Sequence, residues 1–427
     1  MIKISTFANT FALTLALGVA GSSMAFSAEP TTEAILKTYA DIALAGYEDA
    51  LITAKALDAA TDALIANPSE AILTAAREAW RASRPSYQQT EAFRFGNPIV
   101  DDWEGRVNSW PLDEGLIDYV DASYGQSEEN PLSVLNVIAT PKFILSGTEI
   151  DATTITPGLI SDTLQEADGI ESNVASGYHA IEFLLWGQDL NGTGPGAGDR
   201  PHTDYLAGDG CTHGNCDRRA DYLVAATDLL VSDLTTMTGA WATGGAARAA
   251  VAADPQAGLL MMLTGMGSLS YGEVAGQRMR LGLMLNDPEE EHDCFSDNTH
   301  NSHYYDALGI RNVYLGRYVR VDGTEVSGPS LSDLVAAIDP SVDTRLKAEL
   351  DASVAAIGAL KAAAEGGLKV DMMLAPGNAK GEALIMGGVN ALVTQTASIE
   401  RAVAVLGLSK VDFEGSDSLD NPEAVFQ

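Results

Sequence analysis

Two side chains that could bind a metal ion or exchange a proton lie three residues apart in an otherwise apolar stretch. The stretch is GYHAIEFLLWGQD, residues 177–189, and the two side chains are His179 and Glu182. Its pattern predicts an α-helix, on which residues three apart project from the same face. An imidazole beside a carboxylate makes half of a metal site or of an acid–base pair. The alternative is a buried polar pair without a function.

A second group of candidate ligands lies between Asp287 and His303, where nine acidic residues and histidines fall within seventeen positions. Asp297, His300 and His303 are spaced by three, so on a helix they would share a face. A charge run is ordinarily solvated, and we expect that of residues 289–291. The patch nevertheless holds three of the six histidines. It therefore predicts ligands that complete the His179 site or form a second site across an interface.

Three further acidic residues lie in surroundings rich in aromatic side chains. Glu91 follows Tyr87 by four positions in a helix that we predict to continue towards Phe95, so Glu91 can supply a third ligand from a neighbouring helix. Glu273 lies on a helical face of small and apolar residues later in the chain. The order of helix, break and helix, with an acidic residue near an aromatic one, is the same there as around Tyr87 and Glu91, which indicates a duplication. Asp113 lies in a loop dense in aromatic and acidic residues, where an acid faces the site or caps a helix.

Four motifs in a fixed order carry a resemblance to a known family. GYHAIE, residues 177–182, fits the Gly-x-His-x-x-Glu signature of the imelysin family. WPLDEGLIDY (110–119), CTHGNC (211–216) and HDCFSDNTH (292–300) resemble the iron-regulated, cyanobacterial-type branch of that family. The likeness extends over most of the mature chain.

The resemblance implies a fold and a range of functions. Imelysin-like proteins belong to the bacterial envelope or periplasm, were once named as insulin-cleaving metallopeptidases, and are linked to iron uptake. Their His-x-x-Glu helix lies near the junction of two helical bundles, and they carry an acidic residue in the region of Glu91. We therefore expect envelope iron-uptake partners for this chain.

The first 28 residues read as a secretory signal peptide. Lys3 supplies the charge, residues 7–20 the apolar stretch, and Ser-Met-Ala at 23–25 a cleavage site, with Phe-Ser-Ala at 26–28 as the alternative. Later stretches do not approach the roughly 18 uncharged apolar residues that a membrane span requires. The sequence thus predicts a periplasmic or otherwise exported protein without a membrane span.

Composition limits the partners of the chain. Its formal net charge is −34, which argues against nucleic acid and anionic membrane surfaces and favours a cation or a cationic partner. With 46% hydrophobic residues, the 427-residue chain can fill substantial cores. The length that remains after the signal peptide is enough for two domains.

The three cysteines are interpreted in the light of export, because disulfides persist outside the cytosol. Cys211 and Cys216 are five residues apart around a turn that contains Gly214, which predicts a small disulfide loop. The alternative is a metal site formed by the two cysteines and His213, which would need a fourth ligand and reduced thiols. Cys294 is left as a buried thiol or as a competitor for pairing.

The helical patterns predict an all-α protein made of two four-helix-bundle-like domains, related by duplication and joined by long structured loops. We place the N-terminal bundle, which contains the Gly-x-His-x-x-Glu motif, at residues 29–207 and the C-terminal bundle at residues 208–427. The passage between them is the Gly- and Pro-rich stretch 191–214. Residues 131–163 read as a connection, and Asp-Gly at 322–323 as the turn of a hairpin.

The chemistry that requires least of this sequence is cation binding. Histidines and carboxylates suit borderline and hard metals, with iron favoured by the resemblance and zinc as the alternative. A metallopeptidase remains open, but the zinc-protease string His-Glu-x-x-His is absent from the sequence. The third hypothesis is a module that binds a peptide or an envelope partner without metal.

Overall fold

The computed structural model describes residues 31–126 and 130–426. The signal peptide predicted at residues 1–28 lies outside these residues. Within the described ranges, none of the helices combines the length and the apolar character that a bilayer crossing needs.

The described residues form helices and two short hairpins. The helices are α1 (Thr32–Ala66), α2 (Glu70–Gln88), α3 (Pro98–Glu104), α4 (Pro157–Leu159), α5 (Gly177–Trp186), α6 (Cys216–Trp241), α7 (Ala246–Ala252), α8 (Pro255–Ser268), α9 (Gly282–Leu285), α10 (Thr299–Leu315), α11 (Leu331–Ile338), α12 (Pro340–Glu365), α13 (Val370–Leu374), α14 (Ala379–Val405) and α15 (Asp417–Asp420). The all-α prediction is confirmed.

Helices α1 and α2 form a hairpin on which the first half of the molecule is built. The Thr31 side chain caps α1 by accepting a hydrogen bond from Ala34 N at 3.2 Å. Pro68 follows the end of α1 and cannot continue it, because proline lacks the amide donor. α1 packs along α2 and also along α6.

Helix α2 is shorter than predicted, and this moves Glu91. α2 ends at Gln88 rather than near Phe95, and residues 91–93 form a separate 3₁₀ turn. Pro85 within the last turn lacks an amide donor, and the hydroxyl of Thr90 donates to Tyr87 O at 2.6 Å. These features favour a tight turn over another α-helical turn, so the predicted α-helical spacing of Tyr87 and Glu91 is wrong.

A second group of helices packs around α14. α12 packs along α14 and α10 along α12. Between α8 and α9, Leu269–Leu281 continues the helix with π-type hydrogen bonds, and this segment also packs against α14. The buried faces are Ala- and Leu-rich, which lets these long helices approach closely.

Two antiparallel hairpins complete the described elements. β1 (Lys142–Leu145) pairs with β2 (Thr148–Asp151), in a stretch whose sequence predicted only a connection. β3 (Arg317–Val319) pairs with β4 (Glu325–Ser327) around the Asp-Gly turn at 322–323, which was predicted.

The division into two bundles, its boundary at residues 207 and 208, and the duplication stay predictions. α6 begins after that boundary and packs against α1 and α5. The boundary drawn at the Gly-rich passage therefore separates α6 from packing partners in the first half of the chain.

Candidate metal centre

Helix α5 carries the first candidate ligands and is buried along its whole length. It begins at Gly177, which has a φ of +79°. Tyr178 N donates to Val107 O at 2.8 Å, and a β-carbon on residue 177 would overlap that same carbonyl group. The glycine of the motif thus allows α5 to start in contact with the backbone at Val107.

His179 and Glu182 lie on one face of α5, as their spacing predicted. His179 Nδ1 is 3.1 Å from Glu182 Oε2, and both side chains are buried. The other carboxylate oxygen, Oε1, accepts a hydrogen bond from Ser296 N at 2.9 Å. Glu182 therefore connects α5 to the segment that precedes α10.

That segment brings His292 and Asp293 to His179. The rings of His179 and His292 have centroids 4.6 Å apart, and His179 Nδ1 is 3.9 Å from Asp293 Oδ1. One ligand atom from each of the three residues lies within 4.8 Å of the other two. Ligands of one ion, each at about 2.0–2.6 Å, lie at most about 5 Å apart, so this spacing fits a single ion.

Asp293 is held by a network of buried polar groups. Arg84 Nη2 donates to Asp293 Oδ1 at 2.9 Å, and Asn298 Nδ2 donates to Oδ2 at 3.0 Å. The hydroxyl of Ser302 also donates to Oδ2. Arg84 Nη1 donates to Asn108 Oδ1 at 2.8 Å, so one guanidinium orients the carboxylate and a neighbouring amide.

The electrostatics keep the two imidazoles neutral and Asp293 ionised. Burial, followed by the charge of Arg84, lowers the pKa of His179 to about 3, and burial also lowers the pKa of His292. Burial alone would raise the pKa of Asp293, but Arg84, His179 and the hydrogen bonds from Ser302 and Asn298 together outweigh it and hold that pKa below its ordinary value. Burial, followed by the charge of Asp293, raises the pKa of Glu182. Neutral imidazole and ionised carboxylate are the forms that bind metals.

Two imidazole nitrogens remain available in this buried cluster. Within the described part of the chain, His179 Nε2 and His292 Nδ1 have no hydrogen-bond partner. Buried polar atoms are normally hydrogen-bonded, and an unpaired one needs an explanation, such as the binding of an ion at that atom. Two imidazoles and a carboxylate form a donor set that suits iron or zinc.

A cleft of about 590 Å³ reaches the cluster from the surface. Asn108, Trp110 and His292 line it, together with Glu104 and Arg278. The cluster is therefore buried, but one of its residues, His292, also lines an open cleft.

The comparisons with known proteins identify the family. The imelysin family model matches residues 43–399. The chain belongs to the imelysin family. It is 24% identical over 398 residues to iron-regulated protein A of Synechococcus elongatus, which covers 92% of this chain and 93% of that protein.

Two solved structures show the same fold. One, described as an iron-regulated protein A precursor from Parabacteroides distasonis, has a TM-score of 0.63 at 20% identity and covers 89% of this chain and 97% of its own. The other, an imelysin-like protein from Psychrobacter arcticum, has a TM-score of 0.56 at 15% identity and covers 90% of this chain and 97% of its own. The family resemblance carried by the motifs is confirmed.

In this member of the imelysin family, Glu91 and Glu273 belong to an ion-pair network. Arg278 Nη2 lies 3.1 Å from Glu91 Oε2 and 2.7 Å from Glu273 Oε1, and Arg278 Nη1 lies 3.2 Å from Asp306 Oδ2. Each of these carboxylates is thus paired with a guanidinium. In the described chain, neither Glu91 nor Glu273 offers a ligand atom to the group formed with His179.

In the described chain, the other ligands predicted near His179 do not belong to the group of ligand atoms that it forms with His292 and Asp293. Asp297 has a φ of +55° and precedes α10, so it does not share a helical face with His300 and His303, and that part of the prediction is wrong. Asp297 instead approaches Asp189 and Asp371. His300 and His303 are both buried on α10, and His300 Nε2 is 3.2 Å from the amide of Asn301.

Asp113 and the cysteines stabilise loops. Asp113 accepts hydrogen bonds from Tyr124 Oη at 3.1 Å and Ser172 Oγ at 2.7 Å. Cys211 and Cys216 form a disulfide with their Cα atoms 5.9 Å apart, which confirms the predicted pairing. Cys294 is a free thiol.

The sequence analysis did not single out His292 and Asp293. Both lie in the acidic patch between Asp287 and His303, but they are adjacent in a loop rather than at helical spacing. A signal was available: HDCFSDNTH, residues 292–300, was one of the four family motifs. Arg84 and Asn108 gave no local signal, because their role depends on contact with distant residues.

Proposed function

We propose that this chain is an exported metal-binding protein of iron acquisition, with iron bound by His179, His292 and Asp293. The observation that supports the proposal most is the buried cluster in which two neutral imidazoles, each with an unpartnered nitrogen, meet one ionised carboxylate. Among the described residues the two imidazole nitrogens have no hydrogen-bond partner, and a cation would satisfy them. This replaces Glu91 as the expected third ligand.

The residues around the cluster have distinct parts in this function. Glu182 lies 3.1 Å from His179 Nδ1, and a hydrogen bond there orients the ring and leaves Nε2 for the metal. Arg84 and Asn298 fix the orientation of Asp293. A bound iron ion would be coordinated by the two imidazoles and the carboxylate of Asp293. It would enter through the cleft that His292 lines.

Iron is the first candidate for two reasons. The curated relative from Synechococcus elongatus is named iron-regulated protein A. A mixed imidazole and carboxylate set also suits Fe(II), although zinc accepts the same ligands. The predicted signal peptide supports action outside the cytoplasm, where an envelope partner would deliver or receive the metal.

The test is metal binding by the purified chain. Anaerobic titration with Fe(II), and a parallel titration with Zn²⁺, are compared for the wild type, His179→Ala and His292→Ala. We expect each variant to lose at least about tenfold in affinity. The control is His202→Ala, which removes a half-buried histidine outside the cluster.

Two results would change the conclusion. Equal affinity in the wild type and both variants would remove the proposed site. Chelator-sensitive cleavage of an unfolded protein substrate by the loaded chain would favour the metallopeptidase alternative.

A further inference from the structure

A second group of acidic side chains lies close to the segment that carries His292 and Asp293. Asp189, Asp297 and Asp371 each offer a carboxylate oxygen, and these three atoms lie within 4.8 Å of one another. Asp189 follows the end of α5, Asp297 precedes α10, and Asp371 lies in α13. The fold thus brings together three acids from distant parts of the sequence.

The carboxylates of Asp297 and Asp371 are buried and poorly partnered, whereas Asp189 is half-buried and its Oδ1 accepts hydrogen bonds from Asn191 N at 2.8 Å and Asn191 Nδ2 at 2.7 Å. Asp371 is only 2% exposed, and within the described residues neither of its carboxylate oxygens accepts a hydrogen bond. The same holds for Asp297 Oδ1. Met372 N is close to Asp371 but lies outside hydrogen-bonding geometry. Unpaired buried carboxylates are costly, so a compensating group is expected.

Glu291, in the same segment as Asp297, is also buried, so the prediction that residues 289–291 are solvated is wrong for this residue. It is 2% exposed, and among the residues described neither carboxylate oxygen has a hydrogen-bond partner. Thr299 lies near it, outside hydrogen-bonding geometry.

The positive groups of the protein do not neutralise this cluster. Lys369 Nζ is 3.4 Å from the main-chain oxygen of Asp297, and Arg81 donates to the main-chain oxygen of Ser296 at 3.3 Å. Both cations face the cluster, but in the described ranges neither forms an ion pair within 4.0 Å with its carboxylates. Burial raises the pKa of Asp297 to about 6 although Lys369 and Arg81 oppose it, and it raises the pKa of Asp371 to about 7 although Lys369 opposes it.

We propose that Asp189, Asp297 and Asp371 bind a hard divalent cation of the Ca²⁺ class. Oxygen-only donors favour Ca²⁺, Mn²⁺ or Mg²⁺ over the borderline metals that imidazole attracts. Ca²⁺ accepts several carboxylates in irregular geometry, whereas Mg²⁺ demands a near-ideal octahedron. The site is separate from the cluster at His179 and does not depend on the function proposed for it.

The cation would join three elements that are distant in the sequence. It would link the end of α5 and α13 to the segment 291–297, which also carries His292 and Asp293. Binding at this second site therefore stabilises the segment from which two residues of the first cluster project.

The experiment is calorimetric titration of the purified full chain with CaCl₂, after treatment with a chelator. The variants are Asp371→Asn and the half-buried Asp189→Asn, which change one charge with little change of volume. The matched control is Asp209→Asn, which removes the same charge from an exposed position. We expect one Ca²⁺ site, with affinity lowered at least about tenfold in the two variants and unchanged in the control.

His179→Ala separates this proposal from the function proposed above. It should keep wild-type Ca²⁺ affinity, because its imidazole belongs to the other cluster. Absence of Ca²⁺ binding in the wild type, unchanged binding in both aspartate variants, or loss of binding in His179→Ala would each overturn the proposal. As a second readout, CaCl₂ should raise the melting temperature of the wild type by more than that of Asp189→Asn at the same concentration.

Discussion

Arg84 offers the sharpest test of the buried electrostatics around the candidate metal centre. Its guanidinium is fully buried, donates to Asp293 and Asn108, and lies 4.8 Å from the centre of the Tyr178 ring. Arg84→Met keeps much of the volume and removes the charge. Asp293 then remains buried without its ion-pair partner, and Asn108 loses a donor.

The expected magnitude follows from these contacts. Removing one partner of a buried ion pair costs about 3–5 kcal/mol of unfolding free energy, because the other charge stays desolvated. The unpaired amide oxygen of Asn108 contributes to the same loss rather than adding fully to it, since both contacts share one guanidinium. Arg84→Lys keeps the charge but cannot reproduce both hydrogen bonds, so an intermediate loss is expected.

The assay is urea unfolding followed by circular dichroism, with a chelator present so that metal does not mask the loss. The control is Arg317→Met, which breaks an exposed ion pair with Glu325 between β3 and β4 and should change the free energy of unfolding by only about 0.5 kcal/mol or less. If Arg84→Met costs no more than this control, the reasoning that Asp293 is a buried ion held by Arg84 is refuted.

Two further predictions concern α5 and the cleft. Gly177→Ala should lower the free energy of unfolding in urea by about 1–3 kcal/mol, because the new β-carbon would overlap Val107 O and the φ of residue 177 is positive. The control is Gly239→Ala, at a helical position with open space around it, which should not lower the free energy of unfolding. Burial raises the pKa of Glu104 from 4.5 to about 7 although Arg94 opposes it, so the folded chain holds a proton that the unfolded chain releases. The unfolding free energy of the wild type should therefore fall as pH rises from 4.5 to 7, more steeply than that of Glu104→Gln; equal slopes would contradict this cause.

The sequence by itself determined the features that depend on neighbouring residues. Helical periodicity predicted the all-α class, and a spacing of three placed His179 and Glu182 on one face. The short distance between Cys211 and Cys216 was enough to predict their disulfide. Each of these features follows from local backbone geometry, which constrains residues only a few positions apart.

Only the tertiary structure decided which distant side chains meet. Glu91 leaves α2 and pairs with Arg278, while His292 and Asp293, more than one hundred positions after His179, complete the cluster. Helix ends and a residue in a left-handed conformation, such as Asp297, redirect side chains in ways that spacing does not reveal. Packing of helices and the pairing of buried charges then select the partners, because a desolvated charge is stable only beside its counter-charge.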